Sequence, residues 1–155
     1  MNKRLRFFCS FAVLNFLLLP CLAAAEDPSY QQLADHFFEI LKQGKGVDAV
    51  VYLTGTNPEL SKVPDQIEKL KTGFGSLGST MGGYVSSTKL IETRVADIFI
   101  YQHYLVAYDK QPISVRMQFY KPGGKWVCYA LQFDNDLTDL IQKQADSNLR
   151  FSTQY

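Results

Sequence analysis

Residues 97–133, DIFIYQHYLVAYDKQPISVRMQFYKPGGKWVCYALQF, decide the fold. Runs rich in β-branched and aromatic residues are separated by Asp109-Lys110-Gln111-Pro112 and by Lys121-Pro122-Gly123-Gly124, both of which carry residues that turns require. The runs read as strands over about 97–108, 113–120 and 125–133, joined as two antiparallel hairpins. Directly opposed residues in such pairs share a face. With four-residue loops, Phe119 opposes Trp126, Met117 opposes Cys128 and Val115 opposes Ala130, while Tyr108 opposes Ile113, Val106 opposes Val115 and Tyr104 opposes Met117. These apolar partners define a core face, since a slip of one residue would mix them with polar positions. Cys128 falls among them and reads as an inert, buried thiol.

The other face carries Phe99, Tyr101, His103 and Leu105, then Ser114, Arg116, Gln118 and Tyr120, then Val127, Tyr129, Leu131 and Phe133. It is too aromatic for a solvated surface and too polar for a core, so the expectation is a covered face, beneath a helix, a second subunit or a ligand. Its polar members Tyr101, His103, Arg116, Gln118, Tyr120 and Tyr129 form the candidate ligand- or partner-binding site. An imidazole beside phenols and a guanidinium suits a small apolar or anionic ligand, or proton transfer; the same side chains suit a homodimer interface.

Upstream, a further strand over about 84–95 follows Gly82-Gly83. Before it the periodicity is helical. Apolar residues at Tyr30, Leu33, Phe37, Ile40 and Leu41 make one helical face between Asp27-Pro28, read as cap and first turn, and Gly44. Val47, Val50, Val51 and Leu53 give a short helix ending at Gly55, followed by a loop, and Ile67, Leu70, Phe74, Leu77 and Met81 give an amphipathic helix from Pro64. Downstream, Leu137, Leu140 and Ile141 predict a short helix after Asp134-Asn135-Asp136, and residues 146–155 are a polar tail.

At the N-terminus, Lys3, Arg4 and Arg6 precede an apolar run from Phe7 to Leu19 and a small-residue stretch Ala23-Ala24-Ala25. This three-part pattern predicts a secretory signal peptide over residues 1–25, cleaved between Ala25 and Glu26. The run is shorter than the roughly 20 apolar residues that cross a bilayer and is interrupted by Asn15 and Pro20, so no stable membrane anchor is expected after cleavage. Cleavage leaves 13 of the 16 basic residues against 15 acidic ones, a net charge of −2, with the lysines scattered. Nucleic acid is therefore not an expected partner. Two of the three cysteines leave with the leader, so no intrachain disulfide can form in the remainder. The mature region reads as a single domain over 26–145, periplasmic or secreted.

Motifs for chemistry are weak. Gly73-Phe74-Gly75-Ser76-Leu77-Gly78 matches a dinucleotide fingerprint, but that fingerprint follows a strand inside a βαβ unit, whereas a helical pattern precedes this one. Asp134, Asp136 and Asp139 lack the glycine and glutamate of a calcium loop and read as helix caps. With only His36 and His103, no histidine metal site is expected, His36 reads as a partly buried helix residue, and no cofactor is called for.

Helices first, then Phe74 through Met81-Gly82-Gly83-Tyr84 into long antiparallel strands, and finally Tyr120-Lys121-Pro122-Gly123-Gly124-Lys125-Trp126-Val127, resemble the nuclear transport factor 2-like superfamily, in particular its small exported bacterial members. The resemblance covers roughly Ser29 to Asp136. It implies an α+β, cystatin-like cone: three N-terminal helices packed on a strongly curved antiparallel sheet of about four strands, with a pocket between them and dimerisation through the sheet. The superfamily includes ketosteroid isomerase-like enzymes, dehydratases and members without activity; the isomerases' acidic base, tyrosine and protonated acid do not map onto this sequence, where Asp97 and Glu92 are the acids nearest the strands. The expectation is a non-catalytic binding or accessory domain of the bacterial envelope, and the alternative a small isomerase- or hydrolase-like enzyme using a pocket within the cone with His103 as acid or base.

Overall fold

Ser29 starts the first helix. Its hydroxyl accepts from the Gln32 N–H at 3.2 Å while the Gln32 side chain accepts from the Ser29 N–H at 2.8 Å, a reciprocal capping box. The cap is thus Ser29 and not Asp27-Pro28 as the sequence predicts; the box satisfies two otherwise orphaned donors, which a cap at Asp27 would not. In this computed structural model, which describes residues 27–138, 140–142 and 145, the order is α1 (Tyr30–Lys42), α2 (Gly46–Thr54), a 3-10 turn (Pro58–Lys62), α3 (Pro64–Met81), β1 (Tyr84–Val95), β2 (Phe99–Tyr108), β3 (Ile113–Tyr120) and β4 (Val127–Asp134). The signal peptide, its cleavage site and the tail 146–155 lie outside the described residues. After β4, Thr138, Leu140, Ile141 and Gln142 are helical, capped by the Asp136 carboxylate, which accepts from the Thr138 N–H.

The sheet is an antiparallel meander, β1-β2-β3-β4. With three N-terminal helices against it, this is the α+β architecture that the sequence predicts. The helices cover the face bearing Ile100, Gln102, Tyr104 and Val106 of β2 and Ile113, Val115, Met117 and Phe119 of β3, all buried. Phe37 meets Phe74 at 5.4 Å, Phe38 meets Tyr104 at 4.7 Å and Phe74 meets Phe133 at 4.8 Å between ring centroids, so aromatic side chains fill the space between helices and sheet. Two glycines of the false dinucleotide motif, Gly73 and Gly75, belong to this packing, whereas Gly78 has open space around it. A Cβ on Gly73 would lie 2.3 Å from the Phe133 ring, and one on Gly46 of α2 would lie 2.0 Å from the Phe74 carbonyl oxygen.

The hairpin registers differ from the expectation while most faces are kept. Val106 pairs with Ile113, Tyr104 with Val115 and Gln102 with Met117, a slide of two residues. The end of β2 is held elsewhere: Tyr84 of β1 pairs with Tyr108, the Asp109 N–H donates to the Gly83 carbonyl and the Lys110 N–H to that of Met81. Pro112 has no N–H with which to close the shorter hairpin. Because the side-chain period is two, a slide of two leaves every residue on its face.

In the second hairpin the expectation fails for part of β4. Tyr120 pairs with Val127 and Phe119 with Cys128, so Trp126 does not oppose Phe119; it is half-buried, its ring 5.0 Å from that of Tyr30 and beneath the Lys121 ammonium. A bulge at Tyr129 then inserts one residue, and Gln118 pairs with Ala130, Met117 with Leu131 and Val115 with Phe133. Leu131 and Phe133, expected on the outer face, therefore turn into the core, and Ala130 turns outward. The cause lies in another element: Thr56 Oγ1 accepts from the Cys128 N–H at 2.9 Å and Asn57 Nδ2 donates to the Cys128 carbonyl at 2.8 Å. These side chains pin the free edge of β4 beside the bulge.

Candidate functional site

Strand parity assembles the outer face. From β2 come Phe99, Tyr101, His103 and Leu105; opposite them on β3 stand Tyr120, Gln118, Arg116 and Ser114. β1 adds Val95, Thr93 and Ile91 opposite the first three of these, and β4 adds Val127, Ala130, Gln132 and Asp134 along β3. Tyr129, at the bulge, stacks edge-on against Phe99 at 5.6 Å, which places it on this side as well. Tyr101, His103, Arg116, Gln118, Tyr120 and Tyr129 thus share one surface, away from the three N-terminal helices. Large apolar groups lie open on it: Tyr129 is 54% exposed and Val95 60%.

At its centre, His103 Nε2 lies 2.6 Å from Ser114 Oγ. A hydroxyl at that distance from an imidazole is the geometry of an activated nucleophile. The surroundings oppose that use. Ser114 is 5% exposed and His103 8%, and burial, then the positive Arg116 beside it, push the imidazole below its ordinary value of 6.5. Taking a proton from Ser114 would place an imidazolium next to a guanidinium, and among the described residues no carboxylate hydrogen-bonds His103 to offset it. The alternative of His103 serving a pocket inside the cone does not fit the geometry either, because His103 faces outward.

Arg116 stands across from His103 and Gln132. It is half-buried, its Nε is shielded from solvent without a hydrogen-bond acceptor, and no carboxylate among the described residues pairs with it. A cation in this setting has lost part of its hydration without gaining a counter-ion.

A second polar cluster, on the helix side, escapes the reading of sequence alone. Glu92 of β1 accepts from Tyr30 Oη, Lys89 Nζ and Gln102 Nε2. Gln102, fully buried, also donates to Gln31 Oε1 and accepts from Tyr104 Oη. Lys89 and Gln102, then burial opposing them and Tyr30 assisting, hold the Glu92 carboxyl down at about 2. The cluster ties α1 to β1 and β2, and a cleft of about 390 Å3 lined by Gln31, Asp35, Phe38, Lys89 and Tyr104 lies alongside. Its donors and acceptors satisfy one another, which marks a clasp.

His36 is exposed and pairs with Glu39 at 3.1 Å, correcting its expected partial burial; one edge of its ring packs against Tyr52 of α2, 4.5 Å between ring centroids, while the rest meets solvent and Glu39. Cys128 is buried, and burial pushes its thiol up to about 12. Among the described residues no three His, Cys, Asp or Glu side chains converge as metal ligands, and no helix is long and apolar enough to cross a membrane.

Two solved structures are similar to the chain. One, described as an NTF2-like transpeptidase from Campylobacter jejuni, is 19% identical, with a TM-score of 0.49 over 65% of this chain and 97% of its own. The other, described as a calcium/calmodulin-dependent protein kinase type II association domain from Thiobacillus denitrificans ATCC 25259, is 11% identical, with a TM-score of 0.48 over 71% of this chain and 97% of its own. At these identities the likeness is one of fold. No protein-family model and no curated protein matches the sequence.

Proposed function

We propose that this chain is an exported, non-catalytic binding domain that works as a homodimer, two copies meeting through the outer faces of their sheets. One observation carries the reading: the face opposite the three N-terminal helices is apolar and aromatic from Val95 and Ile91 across to Tyr120 and Tyr129, with Arg116, unpaired among the described residues, at its centre. An antiparallel sheet that meets water on one side normally alternates apolar with polar residues. β2 does not, being apolar or aromatic at most positions on both faces. Four strands of 8 to 12 residues present a face on the order of 600 Å2 in projection, comparable to the roughly 800 Å2 of accessible surface each partner buries in a standard interface. Export rests on the leader pattern of residues 1–25, and N-terminal sequencing of the mature protein should begin at Glu26.

Native mass spectrometry of the mature protein tests the assembly. The wild type should have twice the chain mass. Leu105→Glu should be monomeric and folded, since a carboxylate at this half-buried position can still reach water in the monomer and would be buried unpaired in the dimer. A monomeric wild type at all accessible concentrations, or a Leu105→Glu variant that dimerises as the wild type does, overturns the proposal.

A further inference from the structure

The outer face carries little charge. Among the residues that strand pairing places on it, Arg116 is the one cation and Asp134 the one anion. They sit on neighbouring strands, Arg116 opposite Gln132 and Asp134 opposite Ser114, yet they form no ion pair within the chain. Asp134 is exposed, and its Oδ1 accepts from the Asp136 N–H at 2.9 Å, which orients the carboxylate; among the described residues nothing hydrogen-bonds its other oxygen.

We infer that Arg116 of each copy pairs with Asp134 of the partner subunit, so that two symmetry-related ion pairs fix the register of the sheet-to-sheet dimer. The inference rests on the dimer proposed above. A two-fold interface is self-complementary, so a residue that meets a given partner is met by it in return, and a face with one cation and one anion supplies two matched pairs. The lengths suit this arrangement: packed sheets lie about 10 Å apart, a gap that an extended arginine and a short aspartate span together. The pair would also supply a carboxylate acceptor that the Arg116 guanidinium lacks among the described residues of its own chain, and a planar guanidinium suits a carboxylate better than a lysine would. Apolar surface then provides the drive to associate, while the ion pairs select one orientation among the many that a flat apolar face allows.

Charge exchange between copies tests this. In Arg116→Glu each pair sets carboxylate against carboxylate, and in Asp134→Arg each sets guanidinium against guanidinium; either variant alone should dimerise at least about tenfold more weakly than the wild type. Mixed in equal amounts, the two variants should form a heterodimer. The carboxylate introduced by Arg116→Glu on one copy then faces the guanidinium introduced by Asp134→Arg on the other, and the native Asp134 of the first copy faces the native Arg116 of the second, so both contacts are attractive. A pair formed within one chain predicts no such rescue. Native mass spectrometry resolves the heterodimer directly, and circular dichroism of each variant verifies folding. Should either variant fail to fold, Arg116→Gln and Asp134→Asn remove the charges singly, and both should weaken the dimer and flatten its salt dependence. A wild-type dimer whose affinity is unchanged in the single variants, or a mixture that shows no preference for the heterodimer, overturns the ion pair while leaving the dimer intact. A monomeric wild type overturns the dimer itself.

Discussion

His103 shows how much a residue's neighbours decide. In sequence it is an imidazole among phenols and a guanidinium, as suited to proton transfer as to packing. In the fold it is buried against Ser114 and Arg116 and held neutral near pH 7. The consequence for stability has a definite sign. Its folded value lies below the ordinary 6.5, so as pH falls below that value the unfolded chain takes up a proton that the native imidazole resists, and stability drops until the folded value is passed. Urea denaturation between pH 7.5 and 5 should show this loss in the wild type and a smaller one in His103→Gln; identical slopes in the two proteins would contradict the burial argument. Arg116 and the rest of the candidate group could be placed on one face from parity alone. That Arg116 lacks a partner could not, because pairing depends on which side chains the other strands deliver.

At the scale of elements, alternation reveals faces and conceals offsets. The β2–β3 hairpin keeps its predicted faces although its register slides by two, since a two-residue slide leaves a pattern of period two unchanged. The path of β4 is illegible in sequence because its bulge answers to Thr56 and Asn57, some 70 residues earlier in the chain. α1, α2 and α3 are plain because their apolar residues recur at helical spacing. β1 is harder to interpret, being exposed along most of its length, and its Glu92 looks ordinary until Tyr30, Lys89 and Gln102 converge on it. That clasp can be measured. Glu92→Gln should cost about 1–2 kcal/mol at pH 7, the scale of charge-assisted hydrogen bonds at a partly exposed site. The carboxyl is held from 4.5 down to about 2, so its contribution is complete above 4.5 and fades as pH falls toward 2. The gap between wild type and variant in urea denaturation should therefore shrink across that range, and a gap that persists undiminished at pH 2 would assign the effect to packing.

For the whole molecule, one face of the sheet is covered by the three N-terminal helices and the other is largely apolar and aromatic, with a charge, Arg116, that has no partner among the described residues. Phe37, Phe74, Met117 and Phe119 close the interior, and of the two buried polar side-chain atoms without a partner among the described residues, Tyr108 Oη lies on the core side and Arg116 Nε on the outer face, where large exposed apolar side chains also stand. The central claim is that a second copy covers it. Hydroxyl-radical footprinting across a dilution series tests this most directly, because it reads the exposure of individual side chains. On raising the concentration through the dissociation range, Tyr120 and Tyr129 on the outer face should become protected while Tyr52, beside His36 on the helical side, stays unchanged. Protection of Tyr52 without Tyr120 and Tyr129, or no concentration-dependent protection of the outer face, would contradict the account.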